Sequence, residues 1–91
     1  MTFMITWTIA PAQQKEATAR FLKTGGAPPK GVEMLGRWHA MGIGWVLAKT
    51  ERADAIYEWT AQWTDVISFV VTPVIEDAEA SEVLKRAGLA E

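Results

Sequence analysis

The sequence predicts an α+β domain in which a four-stranded antiparallel sheet carries two helices on one face. Three observations lead to this prediction. Residues 2–9 place apolar side chains at every second position, as a β-strand with two unlike faces does. The pair Met41-Gly42 separates two runs of strand-forming residues, as in a hairpin. Residues 51–63 instead repeat apolar side chains at helical spacing, with Ile56, Trp59 and Trp63 on one face.

The first half of the chain predicts a strand, a helix and the hairpin. Pro11 suits the first turn of a helix that runs to about Thr24, and Gly25 suits its C-terminal cap. The segment GGAPPKG ends this helix. Because it follows a helix and lacks a final Gly-Lys-Ser/Thr, it does not indicate a phosphate-binding loop. The two strands of the hairpin are residues 32–40 and 43–49.

The second half predicts a helix, a strand and a last helix. Thr50 can cap the helix of residues 51–63. Residues 66–75 form the fourth strand, and Pro73 predicts an edge position because proline lacks the N–H donor of a central strand. Residues 76–87 form an amphipathic C-terminal helix. The resulting order, β-α-β-β-α-β plus a helix, is the ferredoxin-like arrangement, whose right-handed crossovers leave one sheet face without helices.

Composition limits the size and the partners of the protein. We expect residues 1–91 to form one domain, and 49% of them are hydrophobic, with five tryptophans. Since so short a chain has little interior, part of this surface is expected to cover a second copy. A net charge of −2 predicts neither a nucleic-acid nor a membrane partner. The absence of cysteine excludes disulfides and thiolate ligands and fits a cytoplasmic protein.

Pairing across the predicted hairpin divides its side chains between two faces. A two-residue turn pairs Trp38 with Trp45 and Arg37 with Val46, and paired residues share a face. The wholly apolar set is predicted to lie under the helices: Met34, Trp38, Ile43, Trp45 and Leu47, with Phe3, Ile5, Trp7, Ile67, Phe69 and Val71. The mixed set is predicted on the helix-free face: Leu35, Arg37, His39, Val46 and Ala48, with Met4, Thr6, Thr8, Ser68, Val70 and Thr72.

Five segments together carry a family resemblance. FMITWTI, ARFLKTGGAPPKGV, LGRWH, EWTAQW and FVVTPVI, in this order, resemble a family of short bacterial proteins known as a domain of unknown function. That family in turn resembles the dimeric α/β-barrel superfamily, in which two ferredoxin-like subunits pack sheet to sheet. The resemblance implies this fold and a homodimer through the helix-free face. It carries over no catalytic residue.

The candidate ligand-binding residues are Arg37, His39, Thr6, Thr8 and Ser68, all assigned to the helix-free face. Arg37 can hold a carboxylate or phosphate through two hydrogen bonds, or it can form an ion pair across the interface, with Glu33 as a candidate partner. His39, the only histidine, is the only catalytic candidate as an acid or base, and otherwise a polar residue at a strand end. One histidine without cysteine makes metal or haem ligation the weakest alternative, so no metal and no cofactor are predicted.

The aromatic residues have a structural and a functional interpretation. Trp7, Trp38 and Trp45 can stack on a planar ligand, but the predicted register makes them core residues. The segment MGIGWVLA faintly resembles an RNA-binding strand signature. It lacks the basic residue and two of the aromatic residues of that signature, and the chain is acidic, so RNA binding is not predicted.

Three functions follow as hypotheses. The first is a homodimeric binding protein that holds a small anionic or aromatic molecule in a cavity between the two sheets. The second is a cofactor-independent monooxygenase or isomerase, with His39 as the proton acceptor. The third is a non-catalytic assembly domain with a dry interface between the sheets.

Overall fold

A computed structural model describes residues 1–89 and has the predicted ferredoxin-like α+β fold. Its four strands form one antiparallel sheet in the order β2-β3-β1-β4. A short 3-10 turn, Pro11–Gln13, precedes the first α-helix. The elements are β1 (Thr2–Thr8), α1 (Gln14–Thr24), β2 (Glu33–Ala40), β3 (Ile43–Lys49), α2 (Ala53–Ala61), β4 (Ser68–Val74) and α3 (Asp77–Arg86).

The ends of several elements differ from the predicted ends by a few residues. Helix α2 begins at Ala53 rather than at residue 51, because Thr50 does not cap it directly. The Thr50 hydroxyl instead accepts a hydrogen bond from the Arg52 backbone N–H at 3.0 Å and donates one to the Gly31 carbonyl at 2.9 Å. Pro73 lies in β4, an edge strand, as predicted.

The predicted register of the β2–β3 hairpin is confirmed. Arg37 pairs with Val46 and Trp38 pairs with Trp45, and the turn at Gly42 has a φ of 81°, which glycine adopts without strain. Nearer its start β2 is irregular, because Met34 pairs with Ala48 and Gly36 with Leu47. Leu35 is therefore the extra residue of a β-bulge.

The predicted pairing of faces between β1 and the hairpin is wrong. Strand β1 pairs Ile5 with Val46 and Trp7 with Gly44, so Arg37 and His39 lie on the same face as the core residues of β1. That face packs under the helices. The helix-free face carries instead four hairpin residues of the set predicted to be buried: Trp38, Ile43, Trp45 and Leu47. It also carries the residues of β1 and β4 that are predicted there: Met4, Thr6, Thr8, Ser68, Val70 and Thr72.

Volume explains the arrangement. The large side chains of β1 lie beside small ones of β3, since Phe3 pairs with Ala48 and Trp7 pairs with Gly44. A Cβ atom at Gly44 would overlap the six-membered ring of the Trp7 indole. Bulky residues on both strands would not fit beneath the helices, because protein interiors are packed to a fixed density.

The core lies between the sheet and α2. Its buried cluster comprises Phe3, Ile5, Trp7, Val46, Ala48, Ile56 and Trp59. The prediction that Trp7 and Trp59 are core residues is confirmed, whereas Trp38 is 55% exposed and Trp45 is half-buried on the helix-free face. The face without helices thus presents apolar side chains of the hairpin beside the threonine and serine side chains of β1 and β4.

Helix α3 stands apart from this core. None of its residues is buried, and Val83 and Leu84 are both exposed. The described residues span 52 × 27 × 18 Å, which is long for a chain of this size. None of the helices in residues 1–89 is both long and apolar enough to cross a membrane.

Candidate ligand-binding cavity

A cavity of about 400 Å³ opens between the sheet and helices α1 and α2. It lies within one chain and on the helix-covered face, and a cavity between the sheets of two subunits stays a prediction. Most of its wall is apolar, and aromatic rings form a large part of it: Trp7, Phe21, Trp59, Trp63 and Phe69. Its volume and its apolar lining are those of small-molecule sites.

Arg37 reaches from β2 to the C-terminal end of α1. Its Nη1 donates to the Gly26 carbonyl at 2.9 Å and its Nη2 donates to the Gly25 carbonyl at 2.8 Å. The guanidinium also stands over the Phe21 ring, 5.0 Å from its centroid. A cation is favourable here because the last carbonyls of a helix carry partial negative charge. Arg37 therefore has a structural role that its sequence neighbours do not reveal.

The charge of Arg37 has no acidic counterpart in the described part of the chain. Within one subunit no carboxylate of residues 1–89, Glu33 included, lies within 4 Å of the guanidinium, and an ion pair with Glu33 across a subunit interface stays a prediction. Partial burial lowers the pKa of Arg37, although an arginine stays charged at neutral pH. Of its five N–H bonds, two go to the carbonyls, and the other three remain available to a ligand.

His39 lies two residues along β2 on the same face and also lines the cavity. Its imidazole is 5.4 Å from the Trp7 ring, edge to face, and 5.1 Å from the Phe21 ring. No hydrogen bond joins either ring nitrogen to another described residue. His39 thus lines the cavity beside two aromatic rings.

The other three predicted site residues lie elsewhere. Thr6, Thr8 and Ser68 are on the helix-free face, with the sheet between them and the cavity. The five candidates therefore divide into two groups, and the structure brings together only Arg37 and His39. Binding of a ligand by Thr6, Thr8 or Ser68 stays a prediction.

Sequence reasoning missed the helical side of the cavity. Gln14 and Thr18 line it from α1, where the Gln14 amide donates to the Thr18 hydroxyl at 3.0 Å, and Thr60 lines it from α2. A signal was available in Ala17, a small residue in α1 between Gln14 and Phe21. Ala17 is the buried residue of α1, so Gln14 and Phe21, three and four positions away from it, lie on the same side of the helix and face the cavity.

An ion pair between Arg20 and Asp65 lies beside Trp63, which forms part of the cavity wall. Arg20 of α1 donates to both carboxylate oxygens of Asp65, at 2.9 and 2.7 Å, and to the Gln62 carbonyl at 3.1 Å. Its guanidinium stands 5.4 Å from the Trp63 ring centroid. The hydrogen bonds from Arg20 hold the pKa of Asp65 below its ordinary value. The segment after α2 is thereby tied to α1 beside the cavity.

The family follows from comparison with known proteins. Residues 1–88 match the family described as Domain of unknown function (DUF3303). The chain belongs to this family. Comparison with curated proteins found no match. Among solved structures, the chain is similar to a crystal structure of an MhuD mutant with two manganese protoporphyrin IX molecules bound per active site. The two share 14% identity and a TM-score of 0.40, over 85% of this chain and 97% of that one.

The wall of the cavity is mostly apolar and contains two ionisable side chains, Arg37 and His39. Within residues 1–89, no three histidine, aspartate or glutamate side chains are grouped so that they could hold a metal ion. The cavity instead offers aromatic surface, one guanidinium and one imidazole. This combination can bind an apolar body and an anionic group at the same time.

Proposed function

We propose that this protein binds a small organic anion in the cavity between the sheet and helices α1 and α2. The observation that carries the proposal is the charge of the wall. Among residues 1–89, Arg37 and His39 are the only ionisable residues that line the cavity, and no carboxylate lines it. A cation without a counter-ion in an apolar cavity favours a negatively charged ligand.

The geometry of Arg37 supports an anionic group at one end of the cavity. The carbonyls of Gly25 and Gly26 hold two edges of the guanidinium and so fix its orientation. Because the side chain is already ordered, binding an anion through the remaining N–H bonds loses little further conformational entropy. Such charge-assisted hydrogen bonds contribute about 1.5–3 kcal/mol each.

The remaining wall supports an aromatic or otherwise planar body for the ligand. Trp7 and Trp59 are buried at its base, and Phe21 and Trp63 are half-buried nearer to solvent. Flat rings offer large apolar contact areas with little loss of side-chain freedom. We therefore assign the ligand to the class of aromatic carboxylates, sulfonates or phosphates.

The same proposal includes a homodimer through the helix-free face. On this face Trp38 is 55% exposed and Val70 is 64% exposed, and the half-buried Trp45 lies on a strand between theirs. An open apolar surface of this kind is unusual on a monomer and typical of an interface. The dimer leaves both cavities on its outer sides, where ligands can enter.

A matched pair of fluorescent probes tests the ligand proposal. Anilinonaphthalene sulfonate and N-phenylnaphthylamine share their aromatic body, and only the first carries a negative charge. We expect the wild-type protein to bind the sulfonate at least about 10-fold more tightly than the neutral probe, since one charge-assisted bond accounts for such a ratio. Fluorescence titration measures both dissociation constants.

The Arg37→Met variant tests whether the anionic probe binds in the cavity. It should bind both probes equally, because the guanidinium supplies the preference for the anion. Arg52→Met removes a guanidinium outside the cavity and should keep the wild-type ratio. The ratio of the two constants is independent of a modest loss of stability. An unchanged ratio in Arg37→Met, or the same loss in both variants, would refute the proposal.

A further inference from the structure

We infer that α3 packs against a second copy of this chain and completes its dimer interface. The inference rests on the proposed dimer and goes beyond it, because the sheet face alone does not require α3. Four observations carry it. They concern the isolation of α3, the apolar side of α3, the area of the helix-free face and the charges on α3.

The first observation is that α3 has no packing of its own. It has ten residues, none of them buried. An isolated helix shorter than about 12–15 residues is only marginally stable in water, because most helix stability in proteins comes from packing an apolar face. The C-terminal cap adds to the stability of α3, because Gly88 has a φ of 77° and the Leu89 N–H donates to the Leu84 carbonyl. A surface outside the described fold of this chain is still needed.

The second observation is the pattern of apolar residues on α3. Ala80, Val83, Leu84 and Ala87 recur at the spacing that places them on one side of a helix. Val83 and Leu84 are 36% and 47% exposed. Acidic and basic residues, including Glu82 and Lys85, occupy the rest of the helix. The apolar side is thus narrow and suits one contact surface.

The third observation concerns area. Four strands spaced about 4.8 Å apart, each seven or eight residues long at about 3.3 Å per residue, present roughly 450 Å² in projection. Two helices of about 15 Å length and 10 Å width, each covering an equal area of the partner, add roughly 600 Å² to the roughly 900 Å² that two such faces cover together. Packing of α3 on the partner therefore enlarges the projected contact area by about two-thirds.

Position and charge select a second copy rather than another occupant. Only Ile75 and Glu76 separate α3 from β4, an edge strand of the sheet whose helix-free face is proposed to pair. The helix is thereby held at the rim of that interface. It carries three acidic and two basic residues, so it has no attraction for an anionic membrane.

Sedimentation equilibrium of the full chain tests the inference with two matched double variants. Val83→Ser/Leu84→Ser removes the apolar side of α3 and should raise the dimer dissociation constant by at least about 100-fold, since both subunits lose two buried side chains. Glu82→Ser/Lys85→Ser introduces the same residue on the opposite side and leaves the net charge unchanged. It should shift the constant by less than about threefold. Equal constants for the two variants would overturn the inference and leave the sheet dimer standing.

Amide hydrogen exchange shows which surface protects α3. For wild-type protein, we expect the α3 amides to lose protection on dilution below the dimer dissociation constant, while the β1 amides keep theirs. Protection of α3 that does not depend on concentration would mean that α3 folds onto its own subunit. Protection gained only with anionic lipid vesicles would mean a membrane contact, and either result overturns the inference. A wild-type protein that stays monomeric would remove the dimer itself without affecting the cavity.

Discussion

The indole of Trp7 occupies the place where a side chain at Gly44 would stand. The two residues pair directly across β1 and β3, and a Cβ at Gly44 would overlap the six-membered ring. Trp7 belongs to the buried core cluster and also lines the cavity, so the overlap can be relieved only by displacing the ring toward the cavity or by shifting the paired backbone. We therefore expect Gly44→Ala to lower the free energy of unfolding by about 3 kcal/mol, at the upper end for overpacking. Urea denaturation measures this loss.

The Trp7→Phe background provides the control for this prediction. Phenylalanine lacks the second ring, so a methyl group at position 44 meets less resistance. In this background Gly44→Ala should cost less than half as much as in the wild type. If the cost is the same in both backgrounds, then the contact between the ring and the backbone is not its cause.

Arg37 should contribute to stability as well as to binding. Arg37→Lys keeps the positive charge, but its single ammonium nitrogen on a shorter side chain does not reproduce the two separate guanidinium donors to the Gly25 and Gly26 carbonyls. We expect a loss of about 1–3 kcal/mol in the free energy of unfolding, because the buried Gly26 carbonyl then loses its closest donor. Arg52→Lys, at an exposed ion pair with Asp54, should leave stability nearly unchanged. Thermal and urea unfolding measure the stability of both variants. Equal losses for Arg37→Lys and Arg52→Lys would contradict this account.

The Arg20–Asp65 ion pair predicts a specific acid sensitivity. The pKa of Asp65 is lowered in the folded protein, chiefly by the hydrogen bonds from Arg20, from an ordinary value of 3.8. A group with a lowered folded pKa stabilises the fold above its ordinary pKa and loses this contribution as the pH falls through the folded value. Asp65→Asn should therefore destabilise the protein at pH 7 and make unfolding less dependent on pH below about 4.

The Arg20→Met background separates this ion pair from other acidic groups. Without the guanidinium, Asp65→Asn should change neither the stability at pH 7 nor its slope against pH. Urea midpoints measured at several pH values give both quantities. A full effect of Asp65→Asn in that background would show that the carboxylate acts through a different partner.

The proposed dimer predicts a strong effect at the exposed Val70. The proposed dimer covers Val70, so a lysine there brings a charge without a partner into the contact, and Val70→Lys should make the protein monomeric at micromolar concentration. Tyr57 is 78% exposed on α2, away from the helix-free face, and Tyr57→Lys should leave the dimer intact. Light scattering measures both masses. Identical masses for wild type and Val70→Lys would exclude the helix-free face as the interface.

Local sequence patterns were sufficient to predict the elements and the hairpin. Alternation in β1, the turn at Met41-Gly42 and Pro73 at an edge each depend on a few neighbouring residues, and the structure confirms them. The relation between β1 and the hairpin is different. It depends on which side chains fit together beneath the helices, and apolarity alone favoured the bulky set that includes Trp38 and Trp45. The small residues opposite large ones, with Gly44 against Trp7, were the signal for the correct choice.

The site was only partly predictable for the same reason. Arg37 and His39 share a face through the period of a strand, which the sequence gives directly. Their partners do not follow from any local pattern, because Arg37 bonds to backbone carbonyls of Gly25 and Gly26 at the end of α1. A contact of this kind exists only once helix and sheet are packed. The cavity that lies between those elements therefore did not follow from the sequence.

The two outer strands of the sheet hinder the addition of further strands at its edges. Pro73 removes a hydrogen-bond donor from β4 at one edge, and the bulge at Leu35 breaks the regular ladder of β2 at the other. Neither edge offers an unbroken row of backbone donors and acceptors to a strand from another molecule. An apolar sheet with open edges is a template for fibrils, because chains add to it without limit. In the proposed dimer, contact through the single helix-free face ends at two molecules.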